Sequence, residues 1–341
     1  MSLDLKGLTV LITGGTGSFG SAMASRLLEQ DVAEVRIFSR DEAKQDNMRR
    51  RLHDSRSRFY LGDVRDYQSV ADAMRDVDLV FHAAALKQVP SCEFFPAQAV
   101  RTNVMGSANV IEAASAAGVR SVVCLSTDKA VYPVNAMGMT KALMEKTAQA
   151  FVRNNPQSAT TVSIVRYGNV LCSRGSVVPL FAEQVQSGRP MTITEPTMTR
   201  FLMSLTESMG LVEHAFSHAV SGDLYVRKAP ASTVNDLATA VARVFGVEPK
   251  TLVIGTRHGE KLYETLLSRE EMVRAEDKGE YFRVPLDSRS LDYELFFDSG
   301  ERIKPAVDDY TSHNADQLDA EAVRNLLLTL PEMAQLRGGH S

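Results

Sequence analysis

Cysteine is scarce in this chain of 341 residues, which excludes a scaffold held together by disulfides. Cys92, Cys124 and Cys172 are widely spaced and form no CxxC pair, so reduced thiols in a cytoplasmic setting are expected. Long apolar runs are missing too: no stretch approaches the roughly 20 residues that span a bilayer. The opening MSLDLKGLTVLITGG lacks the positive region, apolar run and cleavage site of a secretion signal. No long basic block occurs, and 38 Lys and Arg against 42 Asp and Glu give a net charge of −4. A nucleic-acid or anionic-membrane surface is therefore not favoured, although a local cluster can still bind a small anion. The densest basic stretch, RRRLHDSRSR at 49–58, has no interleaved aromatics and reads as a solvated face or an interface. His214 and His218 stand four apart with neither an HExxH pattern nor a cysteine set, so no metal site is expected. Internal repeats and low-complexity tracts are absent.

What remains is an ordinary soluble composition, 44% hydrophobic and 23% charged. Its order is informative. TVLITGG, EVRIFS, RFYLGD, DLVFHAAA and SVVCLST are short β-branched runs separated by helical or loop-length segments. This alternation predicts an α/β fold, a Rossmann-type doubly wound parallel sheet buried on both faces. Residues 1–175 are read as the nucleotide-binding domain. From about 176 to 341 the pattern changes to turns and short strands, read as a smaller substrate-binding region with chain crossings back to the first. Ligand-binding residues should gather beyond the C-terminal ends of the strands.

Gly14-Gly15-Thr16-Gly17-Ser18-Phe19-Gly20 follows the first strand and opens a helix. Gly14, Gly17 and Gly20 make a GxxGxxG variant of the dinucleotide fingerprint, with room for a pyrophosphate against free helix N–H groups. After the second strand come Ser39, Arg40, Asp41 and Lys44. Ser39 and Arg40 suit a ribose 2′-phosphate, which favours NADP; NAD is the alternative if Asp41 turns inward. Asp63 and Val64 can meet the adenine, or Asp63 can cap a helix. Ala83, Ala84 and Ala85 are small enough for a cofactor backbone to pass. Lys87 suits a phosphate, a substrate or solvent.

Asp128 and Lys129, just beyond the fifth strand, read either as an acid/base pair or as a simple ion pair. Asn169, at another strand end, can bind a diphosphate. Arg200 can meet phosphate or sugar. In RHGEK, Arg257 can clamp phosphate and Glu260 can accept ribose hydroxyls.

TGGTGSFG, GDVRD, HAAALK, STDKA, MGMTK and RYGNV resemble the extended short-chain dehydrogenase/reductase family over nearly the whole chain. The resemblance implies that Ser126 and Thr127 orient a sugar hydroxyl and that Lys141 contacts the nicotinamide ribose. The family's tyrosine should stand four residues before Lys141, where this chain has Met137. Met137 carries no ionisable proton, so its expected role is packing against cofactor or substrate. SRDEAKQDNM, AALKQVPSCE, STDKAVYPVNAMGMTK and RHGEKLYE look more like UDP-N-acetylglucosamine 4,6-dehydratases than like an epimerase. VRKAPAS, LSREEM and DDYTSHN point toward the C5-inverting enzymes of capsule and O-antigen biosynthesis. That branch implies oxidation at C4, proton removal from C5 by Lys129 as a free amine, loss of the C6 hydroxyl assisted by Asp128, and return of the hydride to C6. It also implies a homo-oligomer, of hexamer size. The alternatives are a retaining dehydratase, a UDP-sugar C4 epimerase, and an NADP-binding regulatory protein.

Overall fold

Aliphatic residues run through the first six strands with little polar alternation, the pattern of strands covered on both faces. A computed structural model describes residues 4–173, 175–256, 259–287 and 307–338. In it these segments form β1 (Thr9–Thr13), β2 (Glu34–Ser39), β3 (Ser57–Leu61), β4 (Leu79–His82), β5 (Ser121–Leu125) and β6 (Thr161–Arg166). Every residue of β4 and β5 is buried, whereas β3, at the sheet's edge, is half-exposed. Among the described residues the sheet has nine strands. In order they are β3-β2-β1-β4-β5-β6, then Leu224–Arg227, Tyr281–Val284 and Glu276–Asp277. Strands β1 to β6 and Leu224–Arg227 are parallel; Tyr281–Val284 pairs antiparallel with Leu224–Arg227, and Glu276–Asp277 pairs antiparallel with Tyr281–Val284.

Apolar side chains fill both faces. Leu11, Val80, Val122 and Ile164 lie in one cluster, and Val10, Ile12, Phe81 and Val165 in the other. Each fully buried side chain of this size contributes about 1.5–3 kcal/mol. The architecture is thus the doubly wound α/β class that the strand and helix order predicts. A third cluster, with Phe181, Met191, Leu237 and Val323, forms the core of a smaller C-terminal region. Segments beyond residue 176 serve both parts, since Leu224–Arg227 and residues 276–284 extend the main sheet. No helix among the described residues is long and apolar enough to cross a membrane.

One topological feature positions the site. β1 pairs with β2 on one side and with β4 on the other, so the direction of chain progression reverses at β1. The loops leaving β1 and β4 therefore diverge and leave a crevice at their carboxyl ends.

Candidate active site

The crevice opens directly onto the glycine turn. Gly14 adopts φ +68°, and a Cβ there would lie 2.8 Å from the Ala84 backbone. A Cβ on Gly20 would meet Gly14 O at 2.6 Å, so both positions need glycine for the turn to close. The helix that follows, α1 (Ser18–Leu28), has Gly17 at its N-cap with no side-chain cap, and its first turn lines the crevice. The cavity here measures about 1150 Å³ and is lined by Gly14, Thr16 to Gly20, Ser39, Arg40, Lys44, Val64, Ala83 to Ala85 and Lys87. These are residues a dinucleotide site requires: small, backbone-rich and beside an uncapped helix terminus.

The charged residues at the end of β2 are already paired. Asp41 caps α2 (Glu42–Leu52) by accepting the Lys44 backbone N–H, and its carboxylate holds Lys44 Nζ at 2.7 Å. Arg40 lies 3.5 Å from Asp63, which also accepts the Arg65 backbone N–H and guanidinium. Asp63 thus anchors a turn and two arginines, while Asp66 caps the following helix.

β5 delivers the chemical groups. Its end is fixed by Ser126 N–H donating to Val165 O at 2.7 Å and Asp128 N–H donating to Tyr167 O at 3.1 Å. Asp128 is 0% exposed. Its Oδ1 accepts from Thr127 Oγ1 at 2.8 Å and from Lys129 Nζ at 3.0 Å, while Oδ2 is buried with no partner. Lys129 also lies 3.4 Å from Glu264 Oε1. Burial, the largest influence, pulls the Lys129 pKa down, but the two carboxylates outweigh it and hold the ammonium above its ordinary range. The free amine expected from the sequence does not arise here.

The helix Ala136–Asn154 packs against this turn. A Cβ on Gly138 would come within 2.2 Å of Lys129 O, so this glycine sets how closely the helix approaches. Gly138→Ala should push Lys129 out of its ion pair, destabilising the fold by about 1–3 kcal/mol and lowering kcat at least about tenfold; denaturation and steady-state kinetics check both. Lys141, from the same helix, donates to Leu125 O at 2.7 Å, and burial pulls its pKa down to about 8. Ser126 donates to Glu145, which also takes two hydrogen bonds from Arg166. Arg166 in turn grips Glu271 at 2.7 and 2.8 Å and Leu266 O at 3.0 Å.

A second cavity of about 740 Å³ continues from the first at Lys87. Lys129, Asn169, Arg200, Glu260, Lys261 and Glu264 line it, together with apolar residues that include Val178 and Phe181. Asn169 Oδ1 and Glu264 Oε2 are buried without partners. Arg200 Nη2 lies 3.3 Å from Glu260.

The sequence-selected residues divide accordingly. Those of the glycine turn and the ends of β2 and β4 line the first cavity; Lys129, Asn169, Arg200 and Glu260 line the second. Ser126, Thr127 and Lys141 lie beneath the surface, joined through hydrogen bonds to the same strand end. Met137 does not face either cavity: it is buried against Cys92 and Ala99. Arg257 lies outside the described residues. Glu145 and Glu264 escaped the sequence reading, because a single glutamate in a helix or after a tyrosine carries no spacing signal. No group of metal-ligating side chains occurs among the described residues.

Residues 10–286 match the family model of polysaccharide biosynthesis proteins, and residues 287–334 match that of their C-terminal part. The chain belongs to this family. Among relatives of the family, it is 56% identical over 326 residues to the UDP-glucose 4-epimerase of Rickettsia canadensis (strain McKiel), covering 94% of this chain and 96% of that one. The X-ray structure of Pen from Bacillus thuringiensis superposes with a TM-score of 0.86 at 35% identity, covering 96% of this chain and all of that one. The complex of Thermus thermophilus UDP-glucose 4-epimerase with NAD shares the fold, with a TM-score of 0.64 at 24% identity over 74% of this chain and 88% of that one.

These likenesses correct two expectations. The extended short-chain dehydrogenase/reductase character stands, but the narrower assignment to C5-inverting UDP-N-acetylglucosamine 4,6-dehydratases does not. Eight Rickettsia relatives at 54–56% identity are UDP-glucose 4-epimerases. The preference for NADP is overturned as well. Solved structures of this fold at 19–24% identity hold NAD, and here Arg40 and Lys44 already have carboxylate partners.

Proposed function

We propose that this chain is a UDP-sugar 4-epimerase that works with NAD. The observation carrying the reading is the identity of 54–56% with UDP-glucose 4-epimerases. The arrangement at the end of β5 supports it. Bound NAD would supply a reversible two-electron acceptor for the sugar's C4 position. The glycine turn and α1 would hold its pyrophosphate, Ala83 to Ala85 would let it pass, and Lys141 would contact its ribose.

The proton then falls to Asp128. Met137 has none to exchange, and Lys129 is held as an ammonium, so neither can accept one from the C4 hydroxyl. Asp128 is an acceptor with a free oxygen, and the Lys129 ammonium beside it offsets its buried charge. Asp128 lies beneath the wall of the second cavity, in contact with Lys129, which lines it; from there it would take the hydroxyl proton on oxidation and give it back on reduction. Inversion at C4 requires the keto-sugar to present its other face before reduction, and the second cavity gives it room. Asn169, Arg200 and Glu260 would bind the nucleotide diphosphate and ribose.

UDP-glucose is the first hexose to test and UDP-N-acetylglucosamine the second. A homo-oligomer fits the apolar side chains exposed on neighbouring helices, Phe94, Phe95, Met105, Met139 and Leu143, with a hexamer as the size to test by light scattering. Incubation with UDP-galactose and NAD should yield UDP-glucose without net reduction of the cofactor, read by proton NMR. Unchanged UDP-galactose, together with an unchanged N-acetylated counterpart, would sink the reading.

A further inference from the structure

Glu264 stands at the boundary between the charge cluster and the second cavity, and its two oxygens face different surroundings. The residue is 3% exposed and immediately precedes the strand Thr265–Leu267. That strand is held in place from beneath, since Arg166 Nη1 donates to Leu266 O at 3.0 Å. Two hydrogen bonds with Ser312 also fix it: Glu264 N–H donates to Ser312 Oγ at 2.9 Å, and Ser312 N–H donates to Glu264 O at 2.8 Å. The carboxylate is therefore carried on rigid structure rather than on a mobile loop.

Its Oε1 faces cations, Lys129 Nζ at 3.4 Å and Arg200 Nε at 3.9 Å. Its Oε2 is buried and accepts no hydrogen bond, although the residue lines the cavity. A buried carboxylate oxygen without a donor costs on the order of 1–3 kcal/mol or more, so the arrangement is stable only if something supplies the donor. One other acceptor lining this cavity is in the same position, Asn169 Oδ1. Acceptors without donors call for a ligand rich in hydroxyl groups.

We propose that Glu264 is a substrate-binding carboxylate: Oε1 is fixed by Lys129, and Oε2 accepts a hydrogen bond from a hydroxyl of the hexose ring. No covalent bond forms or breaks at Glu264. The inference rests on the UDP-sugar reading above, but it concerns binding of the hexose and not turnover. Its selectivity is for the sugar over the nucleotide: a ligand that ends at the diphosphate gains nothing from Glu264, whereas one carrying a hydroxylated ring does.

The test is calorimetric titration of the NAD-loaded protein with UDP-glucose and, separately, with UDP. A hydrogen bond to a charged group contributes about 1.5–3 kcal/mol, which corresponds to about a ten- to hundredfold change in Kd. Glu264→Gln, nearly the same shape, and Glu264→Ala should both weaken UDP-glucose by that factor and leave UDP within about twofold. If the alanine variant fails to fold, the glutamine variant carries the comparison alone. Equal weakening of both ligands would assign Glu264 to the fold and overturn the inference, as would unchanged binding of UDP-glucose. Wild-type protein that binds UDP-glucose more tightly than UDP but never epimerises it would sink the catalytic reading and leave the Glu264 comparison intact.

Discussion

Asp128→Asn should lower kcat for C4 epimerisation by about 10²–10⁴-fold, with little change in KM. The substitution preserves the shape and the hydrogen bond from Thr127, but an amide oxygen does not take up a proton from a sugar hydroxyl at neutral pH. The size of the effect follows from the absence of a substitute. Lys129 is held as an ammonium by Asp128 and Glu264, and Met137 is turned into a pocket with Cys92 and Ala99. Tyr132, the nearest exposed tyrosine in sequence, bonds instead to Asp309 at 3.1 Å. Tyr167 lines the cofactor cavity, but burial raises its pKa far above neutrality, so it keeps its proton. Cofactor content of the variant, measured after denaturation, should equal that of the wild type. A kcat within a few-fold of wild type would move the proton transfer elsewhere.

The second large effect concerns stability. Arg166→Met should destabilise the protein by about 3–5 kcal/mol at neutral pH, because it leaves two buried carboxylates without their cation. Arg166 is 4% exposed and forms fork-like pairs with both Glu145 and Glu271, the latter 105 residues away. The pH dependence follows from Glu271. Burial, the largest influence, raises its pKa, but Arg166 outweighs it and the net shift is downward. A carboxylate with a depressed folded pKa adds stability that is fully present above its unfolded value of about 4.3 and is lost as pH falls through the folded value. In the variant the unpaired acids are relieved by protonation. The gap between wild type and variant, measured by urea denaturation, should therefore be largest near neutrality and shrink below about pH 4. A gap that stays constant with pH would mean that packing, not charge, accounts for Arg166.

The same residues show where the sequence could and could not be read. The cofactor crevice was legible because its determinants are local: glycines at fixed spacing, a β-branched run before them and a helix after. The end of β5 was legible for the same reason, with Asp128 and Lys129 adjacent in sequence. What the sequence hid are partners that meet only in the fold. Glu264 reaches Lys129, and Arg166 reaches Glu271, across most of the second half of the chain, and no periodicity announces either pair. At Lys129, the adjacent Asp128 and then the distant Glu264 together outweigh burial and hold the ammonium above its ordinary range. Arg40 was misread on similar grounds, since its pairing with Asp63 depends on β2 and β3 lying side by side.

The choice of reaction branch failed for a chemical reason. Epimerases and dehydratases of this fold both begin by oxidising C4, so motifs such as STDKA and MGMTK report the shared step more than the one that follows. What separates the two outcomes is whether a base stands ready at C5, which these motifs do not report. Met137, expected to pack against cofactor or substrate, is instead buried with Cys92 and Ala99 and lines neither cavity.

The most direct test is to incubate the NAD-loaded enzyme with UDP-glucose in deuterated water and follow the sugar ring by NMR. The account predicts UDP-galactose, with the C6 hydroxyl retained and no deuterium at C5. A 4-keto-6-deoxy sugar carrying deuterium at C5 would contradict it.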